Sequence, residues 1–227
     1  MTLDDALRLT EMMMALAFLQ QSAEHLAGMR NERGLFALRM VLCTLLLTGW
    51  QAGWVLAGLF ALALLMLRRF QGPYNGGSDR MSLLILCCVC LAQWLPGERA
   101  KEAAFGYLAL QLVLSYLIAG WVKIANPEWR RGRAVRDVFQ FSAYPASEAL
   151  RGWVARPRVL WVMSWGLMLF ELLFPLTLLH HTALLVGLVV AACFHLANVW
   201  LFGLNRFFWI WLTAYPSILW LQQRIAL

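Results

Sequence analysis

Charge is what this chain has little of. Only 14% of its 227 residues are Asp, Glu, Lys or Arg, where soluble domains carry about 25%. The shortage comes with 62% hydrophobic residues and a mean hydropathy of +0.65. A sphere of this size has too little interior to hide so many apolar side chains, which excludes a water-soluble monomer. Disorder is excluded by the same figures, since it needs low hydrophobicity and high charge. The chain also lacks the alternating segments of about ten residues that build a transmembrane β-barrel. It shows no internal repeat and no low-complexity stretch, and the missing symmetry argues against a transporter. The first residues, Met1-Thr2-Leu3-Asp4-Asp5, are acidic where a signal peptide would be basic, so no cleaved leader is expected.

A disulfide framework is missing as well. The five cysteines, Cys43, Cys87, Cys88, Cys90 and Cys193, all sit inside apolar runs and read as small core hydrophobes. The Cys87-Cys88-x-Cys90 cluster has no His or carboxylate nearby in sequence to complete a metal site, so no metal is expected. The net charge of +7 does not mark a nucleic-acid binder, because the basic residues lie between apolar runs rather than along one element.

What the chain does have is a series of solid apolar runs, the mark of an all-α polytopic transmembrane bundle. Residues 1–34 read as an amphipathic surface helix or a weak first span, and 35–227 as the transmembrane domain. Residues 35–67 are too long for one crossing, and the polar break Gln51-Ala52-Gly53 predicts a hairpin of two spans. Further spans are expected over 81–95, 103–124, 159–179, 183–204 and 207–221, giving seven or eight. The segment 125–158 carries seven arginines together with Trp129, Phe139 and Trp153, and is expected to lie in the interface with at least one short helix of its own. In the eight-span count, thirteen of the 19 Lys and Arg residues share one side, which the positive-inside rule assigns to the cytoplasm. The loop around Asn75–Asp79 and the 125–158 segment then leave the membrane on the same face. Asp79 is expected to N-cap the helix that starts at Arg80.

Ionisable residues inside apolar runs are costly and are candidates for function. Lys123, Glu171 and His195 stand out. Tyr116, Gly120 and Lys123 are spaced i, i+4, i+7 and share one helix face. Gly120 leaves room for another backbone or a flat ligand. Lys123 reads either as a base that loses its proton when desolvated or as a lysine snorkelling to the interface. His195 and Asn198 are i, i+3 neighbours, and read as a polar pocket wall or as a buried histidine bonded to a neighbouring helix. Lys123, Glu171 and His195 are expected to line one cavity, with Tyr116 and Asn198 on its walls. A tight Lys123–Glu171 pair would argue for a structural role, and separated groups for catalysis. His180 and His181 mark a solvated hairpin tip.

The stretch Tyr116-Leu-Ile-Ala-Gly120-Trp-Val-Lys123-Ile-Ala-Asn-Pro-Glu-Trp129-Arg-Arg-Gly132 resembles the small-Ile-Ala-Gly-x-x-Lys…Trp…Gly signature of the vitamin K-dependent γ-carboxylase-like membrane domain, the HTTM domain. Phe194-His195-Leu-Ala-Asn198-Val-Trp-Leu-Phe202 is similar to that family's Phe-His-x-x-Asn-x-x-Leu-Phe helix, and Glu171 falls where the family carries an intramembrane acid. The resemblance spans about residues 30–220. It implies a quinone or hydroquinone cofactor of the vitamin K kind, with Lys123 as the base that deprotonates the hydroquinone. In the carboxylase, oxygen then gives an epoxide and a strong base, and a glutamate carbanion captures CO₂. The resemblance further implies a catalytic set of Lys123, His195 and Glu171, with Tyr116, Gly120, Asn198, Asn75 and Asp79 facing the cofactor. The carboxylase has an Asn-His-Ser loop where this chain reads Asn75-Gly76-Gly77-Ser78-Asp79. Through Leu227 the chain carries no large extramembranous part of the kind that holds the carboxylase's peptide, so quinone redox chemistry is expected ahead of peptide carboxylation. Small bacterial relatives suggest the alternative of a non-enzymatic membrane subunit, as in the SdpB family's role beside toxin-peptide maturation or export. Expected partners are lipids, a quinone, and a peptide or partner membrane protein, in a bacterial inner membrane.

Overall fold

A computed structural model describes residues 1–28, 33–69, 77–141 and 148–225, and among them every regular element is helical. Lipid leaves a crossing backbone no cheaper way to satisfy its N–H and C=O groups. In chain order the α-helices are α1 (Leu3–Gly28), α2 (Arg33–Thr48), α3 (Ala52–Arg69), α4 (Gly77–Trp94), α5 (Glu98–Ala125), α6 (Pro127–Arg130), α7 (Arg133–Phe141), α8 (Pro157–Leu173), α9 (His181–Phe202), α10 (Asn205–Thr213) and α11 (Tyr215–Ile225). Two 3-10 segments, Glu148–Ala155 and Phe174–Leu179, precede and follow α8.

The protein is a membrane protein: among the described residues three helical stretches are long and apolar enough to cross a bilayer, Glu98–Ala125, Pro157–Leu179 and His181–Phe202, with mean hydropathies of 1.7, 1.8 and 2.1. The hairpin expected over 35–67 forms as α2 and α3, turning at Gly49-Trp50-Gln51. The span expected over 207–221 does not form as one helix. It breaks between α10 and α11 at Ala214, just before Pro216. Proline has no N–H to give the helix, and its ring disfavours helical backbone in the residue before it. The chain answers with tight i+3 turns, Ala214 N to Trp211 O at 3.1 Å and Ser217 N to Ala214 O at 3.2 Å. Helix α4 starts at Gly77, so Asp79 lies inside its first turn rather than capping a helix from Arg80. There its negative charge still complements the helix dipole. Asn75 lies outside the described residues.

The chain divides into two compact units. The first comprises 1–109 and 209–225, and the second 110–208. In the first, α1 packs on α2, α4 and α11. Polar groups of α1 are buried along this contact. Arg8 donates to the carbonyls of Leu46 and Leu47 at 2.8 and 2.7 Å and pairs with Glu11 at 3.0 Å, while Gln93 of α4 donates to Glu11 at 2.6 Å. The end of α2, which would otherwise leave carbonyls unsatisfied, is thereby closed by a side chain from α1. Arg39, the lone charge of the 35–67 run, lies over the Phe18 ring at 3.9 Å and donates to Gln21 at 2.9 Å.

In the second unit, α5 ends where Asn126 caps a new helix, its side-chain oxygen accepting from Glu128 N at 2.9 Å, with Pro127 at the first helical position. This turn starts the arginine-rich segment 125–158, whose described residues hold α6, α7 and a 3-10 segment, so the short helix expected there forms. Val135 and Phe139 of α7 are buried against Leu160 and flanked by Trp153 and Phe202. Helix α9 closes at Gly203, whose left-handed backbone (φ 69°) allows Leu204 N to reach back to Asn198 O at 3.2 Å.

Candidate functional site

The second unit brings four of the expected residues together as two buried pairs. Lys123 Nζ donates to both carboxylate oxygens of Glu171, at 2.7 and 2.6 Å. The lysine side chain keeps 18% of its exposure and the glutamate 5%. About two helical turns away along α5, the Tyr116 hydroxyl and His195 Nε2 share a hydrogen bond of 2.9 Å. Phe170 and Phe174 pack on the tyrosine ring, with centroids 5.9 and 4.3 Å away. The first pair joins α5 to α8, and the second joins α5 to α9.

Gly120, between Tyr116 and Lys123 on the same face, explains how α5 and α8 come close enough. A Cβ built there would stand 2.6 Å from the backbone nitrogen of Leu172, closer than any real Cβ contact. The space that the sequence left open to either a backbone or a flat ligand is filled by the backbone of α8. Gly120 therefore acts by letting the helices meet, and the meeting sets Glu171 within reach of Lys123.

On the other side of Lys123 lies a cavity of about 440 Å³. Its polar lining consists of Lys123 and Asn198, and the rest is apolar, with the rings of Trp129, Phe139, Phe170, Phe194 and Phe202 on its walls. The Trp129 ring centre lies 5.3 Å from Lys123 Nζ, within cation–π range. The expected single cavity is thus resolved differently. Lys123 and Asn198 reach it, while Glu171, Tyr116 and His195 are not among its lining residues. They are 3% exposed each, packed in the wall between helices. The reason is geometric: Glu171 extends toward Nζ, and His195 toward the tyrosine, so each polar group is spent on its pair. Asp79 lies in the first unit, on α4.

Sequence reasoning missed what holds Trp129 in place. Ser164 of α8 donates to the Trp129 carbonyl at 2.5 Å, and the Trp165 indole donates to the Arg130 carbonyl at 3.1 Å. Both bonds pin α6 onto α8. The signal was present, since Ser164 is the lone hydroxyl in the 159–173 run. At the opposite end of α8 and α9, His180 is exposed and its ring nitrogen accepts from Thr182 N at 3.2 Å, an N-cap to α9. Among the described residues no three His, Cys, Asp or Glu side chains are grouped to hold a metal ion.

Residues 100–222 match the family model described as HTTM domain, just over half of the chain. No curated protein and no solved structure matches it. The match covers both buried pairs, the cavity and the arginine-rich segment 125–158.

Proposed function

The chain belongs to the HTTM domain family, and from that premise we propose that it binds a quinone or hydroquinone in the aromatic cavity beside Lys123. One observation carries the reading: an aromatic-walled cavity presents Lys123 and Asn198 as its polar lining. The cavity's size falls within the range of small-molecule sites. Its aromatic walls suit a flat ring, and Lys123 and Asn198 suit two polar edges of such a ring.

The bound group would supply an acidic hydroxyl and the redox chemistry. The protein's part concerns a proton. Lys123 Nζ would take a proton from the bound hydroxyl while passing one of its own to the Glu171 carboxylate, so that the pair would go from net zero to net +1. Asn198 orients the ligand, Trp129 flanks it, and Tyr116–His195 holds α5 against α9. The seven-to-eight-span topology, a bacterial inner membrane and a cytoplasmic arginine-rich end belong to the same proposal. They draw on the arginine asymmetry and the resemblance to small bacterial relatives.

A second reading is favoured by the pair itself. Two short bonds between Lys123 and Glu171 are the geometry expected of a structural latch, as in an accessory subunit for peptide maturation or export. Purification with native lipids and mass spectrometry of bound quinones separates the two. The first reading expects a stoichiometric quinone, and Lys123→Arg, which cannot give up its proton, should keep the quinone and lose turnover. Absence of any quinone, or full turnover in Lys123→Arg, would leave the latch.

A further inference from the structure

We infer that the arginine-bearing collar formed by α6, α7 and residues 153–158 docks on the anionic phospholipid headgroups of one leaflet. The inference rests on charge and geometry and is independent of the quinone reading. The collar joins the end of α5 to the start of α8. Among its described residues the longest helix has nine residues, about 14 Å, too short to cross a bilayer. Both ends therefore lie at one membrane face. The end of α9 lies there too, because Leu201 and Phe202 pack on the same cluster as Val135 and Phe139.

All eight arginines of residues 110–208 fall at this end, and the α8–α9 tip at the other has only His180 and His181. Helix α7 is two-faced. Val135 and Phe139 are buried, while the Arg133 and Arg136 side chains are 56% and 47% exposed. Arg131 beside them is 63% exposed. The nearby acids do not cancel them. Glu128 lies 4.0 Å from Arg131 and 3.7 Å from Arg133, and Asp137 lies 3.4 Å from Arg136, all in the open, where such pairs contribute little. Arg130, Arg156 and Arg158 are exposed as well. Arg156 lies over the Trp153 ring at 5.4 Å, and Trp153 stacks on Phe139 at 5.9 Å, which puts a cation beside an aromatic at headgroup depth. A flat helix with its apolar face held by the protein and its cations turned outward fits an anionic surface. Because Ser164 and Trp165 fix the collar to α8, docking would also set the depth of the Trp129 ring and of the cavity beside it.

The test uses the full chain in nanodiscs of equal phosphatidylglycerol and phosphatidylcholine, with native mass spectrometry of the lipids retained on release. Wild type should retain phosphatidylglycerol preferentially. Arg131→Gln/Arg133→Gln/Arg136→Gln should lower that preference by up to about fivefold per arginine at low salt, and 0.5 M NaCl by a similar direction. The triple lysine variant at the same positions should restore it, which separates charge from misfolding. Arg99→Gln, at the far end of α5, should leave it unchanged. Equal retention of both lipids by wild type, or an undiminished preference in the glutamine variant, overturns the proposal. So does displacement of phosphatidylglycerol by inorganic phosphate at matched ionic strength, which would mark a phosphate site instead of a lipid surface.

Discussion

The two compact units bury polar groups to different ends. In the first, Arg8 is spent on backbone: it closes the carbonyl end of α2 and neutralises Glu11, which is 2% exposed. In the second, Lys123 is spent on a side chain, Glu171, and remains in the wall of a cavity. An arginine that satisfies carbonyls has discharged a structural debt and needs no ligand to explain it. A lysine paired inside an apolar cavity wall is left in contact with whatever fills that cavity. The difference lies in what each cation faces, not in how deeply it is buried.

The sharpest way to break this comparison is to unpair Lys123. Glu171→Leu leaves a mostly buried ammonium without its counter-charge and should cost about 3–5 kcal/mol in thermal unfolding of the detergent-solubilised protein. Lys123→Met/Glu171→Leu should recover most of that loss. Recovery with retained quinone would mean that the pair is not what the ligand reads. Next is Gly120→Ala, whose methyl meets the α8 backbone and should cost about 2–3 kcal/mol through overpacking. Gly166→Ala in α8 is its counterpart. No heavy atom lies within 4 Å of a Cβ there, so it should be neutral or stabilising by up to about 1 kcal/mol. Equal costs for the two would contradict the close approach at Gly120. In the first unit, Arg8→Met should cost about 2 kcal/mol, since it exposes the helix end and leaves Glu11 with Gln93 alone, while ligand retention stays unchanged. Smallest is Tyr116→Phe, worth about 1 kcal/mol for one hydrogen bond to His195, seen as a modest fall in melting temperature.

Much of this was legible in the residues. Solid apolar runs gave the helices, the Gln51 break gave the α2–α3 hairpin, and the i, i+4, i+7 spacing put Tyr116, Gly120 and Lys123 on one face. What was not legible was pairing across helices. Nothing in the spacing says that Glu171 takes Lys123 while His195 takes Tyr116, because those choices depend on how α8 and α9 turn against α5. The break before Pro216 was hidden by a run that reads as apolar although its proline disfavours a continuous helix. The anchoring of Trp129 by Ser164 escaped because a lone serine in an apolar helix ordinarily bonds to its own preceding turn. Here it reaches another element.

The central claim is that the space beside Lys123 is a ligand site. Gly166 lines that space, and a Cβ added to it meets no heavy atom within 4 Å. Gly166→Leu is therefore expected to extend into the cavity with the Lys123–Glu171 pair left in place. The deciding measurement is the quinone retained per protein by Gly166→Leu and wild type, purified in parallel at equal melting temperature. The account predicts a stoichiometric quinone in wild type and its loss in Gly166→Leu. Equal retention in the two would contradict it.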